Sequence, residues 1–262
     1  MLHHRVYIAN ASRPWVTFIH GAGGDSTTWH KQVKDFKKHF NVLLIDLRGH
    51  GKSNGIPWQK GDSLEDIADE VVNVLDHLHI KSTHLVGISL GTIIIQTMAQ
   101  KHTDRIESMI LGGAVIQLNV RTKFLMALGN LTKYIIPYMW LYRFLAWIIM
   151  PKSNHIESRS AFVDQAKKMC QKEFIRWFAL LKAMNPLLER LQTNFNGIPT
   201  MFIMGEEDYL FLPAVEKLVE EKEGLLLKRI EDSGHVCNID QPRQFNDETI
   251  KFISTYHKTE AV

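Results

Sequence analysis

The sequence predicts an α/β protein with a mostly parallel central sheet and helices on both of its faces. Three observations lead there. Short apolar runs of strand character alternate with longer stretches of helical spacing. Glycine-rich turns follow several of those runs. The alternation stops near residue 115 and resumes near 198. The 262 residues, 45% hydrophobic and 23% charged, suffice for one large domain with a smaller insertion.

The elements follow in order. Trp15 to Ile19 reads as a strand and leads into His20-Gly21-Ala22-Gly23-Gly24. Residues 28 to 40 carry Trp29, Val33, Phe36 and Phe40 at helical spacing. A strand from Val42 to Asp46 leads into Leu47-Arg48-Gly49-His50-Gly51-Lys52-Ser53. Ser63-Leu64-Glu65-Asp66 has the form of a capping box, opening a helix that buries Ile67, Ala68, Val71 and Leu75. Thr83 to Val86 is a strand, residues 92 to 100 a helix, and Ile106 to Leu111 a further strand. From about 115 to 196 the spacing is helical throughout, with apolar centres at 124–128, 138–142 and 174–178. The strand–helix alternation then returns: a strand to Met204, a helix from Pro213, a strand from Leu225 to Ile230, and a helix from Pro242 to Tyr256.

Composition narrows the functional classes. With 31 basic and 28 acidic residues the net charge is +3, and no long Lys/Arg run argues for a nucleic-acid partner. Two cysteines, Cys170 and Cys237, are too few for a disulfide scaffold and lack metal-type spacing with histidine. Cys237 reads as a small buried side chain. The N-terminus lacks the apolar core of a signal peptide, which makes a cytoplasmic protein the expectation. The most apolar stretch, Ile135 to Pro151, is shorter than the roughly 20 residues that span a bilayer and contains Pro137 and Arg143. Membrane contact is not expected, and the oligomeric state is left open.

The most informative string is Gly87-Ile88-Ser89-Leu90-Gly91. It reads G-x-S-x-G between a strand and a helix. A serine on so tight a turn has its hydroxyl pushed clear of the sheet edge, and flanking glycines relieve the close packing around it. The helix start adds backbone N–H groups and a positive dipole end beside it.

Together with the loop at His20 to Gly24, the turn at Gly205-Glu206-Glu207-Asp208 and the late Ser233-Gly234-His235, this string resembles the α/β-hydrolase family over nearly the whole chain. The order Ser, Asp, His is that family's order. The resemblance implies a hydrolase core at 1–114 and 197–262, with a helical cap at 115–196 inserted after the sixth strand. It implies Ser89 as nucleophile, His235 as the base and later the acid, and Asp208 as the carboxylate that orients the imidazole. It implies an oxyanion hole from the backbone N–H groups of Ala22 and Leu90. Glu206 and Glu207 lie too close to the strand end to match the acid position. No carboxylate stands at 112–119, the other place where members carry it.

Asp46, Arg48, His50 and Ser53 are expected to shape the turn beneath the site. The Trp and Met side chains of 115–196 are expected to supply the lining of an acyl pocket, most of them packing between the inserted helices rather than touching ligand. No metal or cofactor is implied. The expected substrate is a small to medium hydrophobic ester or related acyl compound, cleaved through an acyl-enzyme. Carbon–carbon bond hydrolysis, lactone hydrolysis and haloperoxidase-like chemistry use the same residues, and a hydrolase-fold small-molecule receptor can retain them. A haloalkane dehalogenase would need a carboxylate nucleophile at position 89, and Ser89 argues against it.

Overall fold

The computed structural model describes residues 1–117, 123, 127, 129, 136–182, 188–190, 195 and 197–256. Its centre is a seven-stranded sheet: β1 (His4–Tyr7), β2 (Trp15–Ile19), β3 (Asn41–Ile45), β4 (Thr83–Ile88), β5 (Ile106–Gly112), β6 (Thr200–Gly205) and β7 (Leu225–Ile230). The spatial order is β1-β3-β2-β4-β5-β6-β7. Every pairing is parallel except β1 with β3, where His4 faces Ile45 in antiparallel register.

The strands are apolar on both faces because both faces are covered. In β2, Val16 and Phe18 join one core with Trp29, Phe36 and Phe245, while Ile19 joins the other with Leu85 and Ile94. Helices α1 (His30–Phe36) and α8 (Pro242–Tyr256) cover the first face; α2 (Leu64–His77), α3 (Leu90–Lys101) and α7 (Leu212–Glu221) cover the second. The capping box opens α2 as expected: the Ser63 hydroxyl accepts the Asp66 N–H, and the Asp66 carboxylate accepts the Ser63 N–H. Such a cap contributes about 1 kcal/mol.

The helix expected over 28–40 is shorter. A 3₁₀ turn at Ser26–Trp29 precedes α1, which ends at Phe36. Lys38 and His39 then donate to the carbonyls of Asp35 and Phe36, tightening the chain so that it can reverse into β3.

Between β5 and β6 the described residues form α4 (Tyr138–Ile149), α5 (Ile156–Ala166) and α6 (Gln171–Lys182) and no strand. In this sheet the insertion follows the fifth strand rather than the sixth, because the 14 residues ahead of β2 form one strand only. The apolar centre at 124–128 lies outside the described residues apart from Ala127. No described helix is long and apolar enough to cross a membrane.

Candidate active site

The sequence-predicted residues meet above the C-terminal ends of the parallel strands, where α/β sheets commonly bind ligands. Ser89 stands between β4 and α3 with φ +53° and ψ −115°. A non-glycine residue held there costs about 1–3 kcal/mol and persists only where its surroundings fix it. They do so here. The Ser89 N–H donates to the Gly112 carbonyl at 2.9 Å, and the Ser89 carbonyl accepts the Thr92 N–H at 2.9 Å. Gly91 allows a close approach: a Cβ there would lie 2.2 Å from the Ile19 carbonyl oxygen.

His235 Nε2 lies 2.9 Å from the Ser89 hydroxyl oxygen, and His235 Nδ1 lies 2.8 Å from Asp208 Oδ2. With Nδ1 protonated and donating to the carboxylate, Nε2 is left to accept the serine proton. Asp208 is fully buried, and its Oδ1 accepts the Phe211 N–H at 3.3 Å. The histidine loop is fixed by its own carboxylate, since Asp240 accepts the Gly234 N–H at 2.9 Å. It is also tied to the acid turn by the Glu207 N–H donating to the Ser233 carbonyl at 2.9 Å. The Phe211 ring lies tilted 5.0 Å from the imidazole.

Glu207, the rejected acid candidate, faces the other way. Its carboxylate accepts from Lys152, Asn154 and His155, all on the inserted segment. Burial opposes its ionisation, but those donors outweigh it and hold the carboxyl below its usual range. Cys237 is buried beneath the site, and burial pushes its thiol far up, so it offers no thiolate.

The residues flagged at 46–53 hold the loop at 20–24 in place. Asp46 accepts the N–H groups of Ser26 and Lys52 at 2.7 and 2.9 Å. Burial works against its charge, yet these donors bring its pKa down. His20 Nδ1 donates to the Gly21 carbonyl at 2.8 Å while Nε2 accepts the Leu47 N–H at 2.9 Å. His50 does the same, donating from Nδ1 to the Arg48 carbonyl and accepting the Gly23 N–H at Nε2, both at 3.0 Å. Burial lowers the pKa of both imidazoles, that of His50 well below 6.5, so both stay neutral acceptors. Arg48 is paired with Asp62 and Glu70. Its carbonyl accepts the indole N–H of Trp177 from α6 at 2.9 Å.

A cavity of about 220 Å³ opens beside Ser89, Leu90, His235 and the loop residues Gly21 and Ala22. Leu90 is the first residue of α3, so its N–H belongs to the donors that a helix start leaves unpaired. Ala22 sits in a turn closed by the Gly24 N–H donating to the Gly21 carbonyl at 3.0 Å. The far wall comes from the inserted helices through residues such as Tyr142, Ile149, Phe162 and Phe178. No Lys or Arg lines it among the described residues.

The Trp and Met side chains contribute little of the cavity lining. Of those side chains in the described insertion only Met150 lines the cavity. Trp140 and Trp147 are 70% and 60% exposed, while Trp177 packs on the Arg48 turn and against the His50 ring. Helix α4 is apolar on nearly every position, so its sequence did not say which face turns inward.

Residues 14–159, more than half of the chain, match the sequence model described as the alpha/beta hydrolase fold. The chain belongs to the alpha/beta hydrolase family. Among its curated relatives is a putative carbamate hydrolase RutD of Acinetobacter baylyi, 28% identical and aligned over 94% of each chain. An uncharacterized carboxylesterase, nap, of Bacillus subtilis is 22% identical over 92% of this chain and 79% of its own. Among solved structures, the enol-lactonase of Burkholderia xenovorans superposes with a TM-score of 0.81 at 22% identity, covering 97% of this chain and 96% of that one. The family is one of hydrolases; the relatives' names differ in the bond that each cleaves.

Proposed function

We propose that this hydrolase cleaves a carboxylic ester or closely related acyl bond of a neutral, hydrophobic substrate through a covalent acyl-enzyme. The observation that supports this most directly is the continuous chain Ser89–His235–Asp208, with contacts of 2.9 and 2.8 Å, at the mouth of an apolar cavity.

The Ser89 hydroxyl oxygen attacks the acyl carbon as its proton passes to His235 Nε2, while the carboxylate of Asp208 stabilises the imidazolium. The negative oxygen of the tetrahedral intermediate is met by the backbone N–H groups of Ala22 and Leu90. The imidazolium returns its proton to the departing alcohol, leaving the Ser89 ester. Water, deprotonated by the same imidazole, attacks that ester and frees the acid. Helices α4 to α6 act as a cap that excludes bulk water from these steps.

Charge narrows the substrate class. A carboxylate carried into a low-dielectric cavity needs a cationic partner. None lines the cavity among the described residues, so dicarboxylic lactones and other anionic acyl groups fit poorly.

The test is intact-protein mass after fluorophosphonate treatment, beside steady-state hydrolysis of neutral aryl esters. A single adduct, lost in Ser89→Ala, with many turnovers per molecule is expected. Labelling without turnover would replace the enzyme reading with that of a receptor.

A further inference from the structure

Among the buried polar side chains that line the cavity, Thr28 and Ser158 donate to Gln165 and to the His155 carbonyl, and Tyr142 is left unused by the mechanism above. Tyr142, on α4, is 4% exposed, and its ring is held between Phe162 and Phe174 at centroid distances of 4.9 and 5.6 Å. That packing aims the phenol at the loop after β2. A methyl carbon placed on Gly23 would lie 2.4 Å from the Tyr142 hydroxyl oxygen, closer than from any other atom. The hydroxyl therefore rests against the residue that follows Ala22. The neighbouring Tyr138, by contrast, donates its hydroxyl to the Met169 carbonyl.

No described residue accepts the Tyr142 hydroxyl proton, and the side chain lines the same cavity as Ser89, Leu90 and His235. Burial raises the phenol's pKa far above its usual value, which keeps it a hydrogen donor. A largely buried tyrosine hydroxyl usually has a hydrogen-bond partner. The one N–H on Gly23 is already committed to His50.

We propose that Tyr142 donates a hydrogen bond from the cap to the acyl oxygen of the substrate as that oxygen becomes an oxyanion, adding a third donor to Ala22 and Leu90. This rests on the ester-hydrolase reading. Two donors come from the core and one from the cap, so the oxyanion site is complete only with α4 seated. Gly23 has a defined part here: its lack of a side chain makes room for the phenol.

The experiment compares the unaltered protein, Tyr142→Phe and Ser89→Ala in pre-steady-state acylation by 4-nitrophenyl butyrate. Inhibition by an alkyl trifluoromethyl ketone, which forms a charged hemiketal with the serine, is measured alongside. Phenylalanine keeps the ring packing, so the melting temperature is expected to hold. Acylation is expected to fall about 100-fold, the scale for removing one oxyanion donor, with KM nearly unchanged. The ketone's inhibition constant should rise by a similar factor. An acylation rate and inhibition constant within twofold of the unaltered protein overturn the proposal. So does a higher KM at unchanged acylation rate, since that is ground-state binding only. Absence of any Ser89-dependent release of 4-nitrophenol by the unaltered protein overturns instead the ester-hydrolase reading beneath it.

Discussion

The imidazole of His50 accepts the backbone N–H of Gly23 at 3.0 Å, joining the turn after β3 to the loop after β2. Neither residue touches Ser89 through a hydrogen bond. Yet the contact fixes the loop that carries Ala22, whose N–H is the proposed oxyanion donor. In His50→Ala the buried Gly23 N–H loses its acceptor, which costs about 1–3 kcal/mol. The loop loosens, and misplacement by an ångström can cost up to about 100-fold in rate. The expected result is a modest drop in melting temperature with a much larger drop in kcat on a neutral aryl ester. Equal kcat in both proteins would show that the loop is held without His50.

The two buried imidazoles also set the acid limb of stability. Burial depresses the folded-state pKa of His20 and, more strongly, of His50 below the ordinary 6.5. Below pH 6.5 the unfolded chain binds protons that the folded chain refuses, so the stabilisation is complete above 6.5 and is lost as pH falls toward the lowered values. Urea unfolding at pH 7.5, 6.5 and 5.5 should show stability declining already between the last two. His50→Gln, which keeps an acceptor without titrating, should flatten that decline.

Asp208 accepts the Nδ1 proton of His235 at 2.8 Å. An amide in its place can turn its N–H₂ group toward the ring and select the wrong tautomer, leaving Nε2 protonated. Asp208→Asn should therefore lose about 10⁴-fold in kcat while its melting temperature changes little. Retention of near-full activity would move the orienting role elsewhere, with Glu207 the nearest rival in sequence.

The apolar cavity predicts a graded response to acyl length. Each buried methylene contributes about 0.8 kcal/mol, or roughly fourfold in kcat/KM, until the chain reaches the far wall. A series of 4-nitrophenyl esters from acetate upward should rise and then fall. Phe178→Ala, at that wall, should move the maximum to a longer chain. Hemisuccinate esters, which bring a carboxylate to a cavity without a cation, should be turned over much less efficiently than neutral esters of equal length.

Much of this site is legible in sequence because its parts sit on short turns next to strands. Ser89 is marked by glycines two positions away on either side, and His235 and Asp208 by fixed offsets from strand ends. Their geometry is local, and so is the pattern that reports it. The inserted helices are different. Tyr142 stands in a helix apolar on nearly all sides, where periodicity cannot separate the cavity wall from the outer face that bears Trp140 and Trp147. The pairing of Glu207 with His155 depends on how the insertion docks, across 52 residues, and no local pattern encodes it. The early end of α1 follows from the geometry of the turn into β3, which helical spacing in the sequence does not reveal.

Ser89 and His235 are 146 residues apart in the chain, and the strands that carry Ser89, Asp208 and His235 to one edge are interior or late members of the sheet. Ser89 and His235 thus meet only after both parts of the core, separated in sequence by the whole insertion, have paired through β5 and β6. Contacts of such long range form late and slowly. During refolding, the far-ultraviolet helical signal should return well before any capacity to acylate. A nascent or partly unfolded chain would be chemically silent, whatever helices it had already formed.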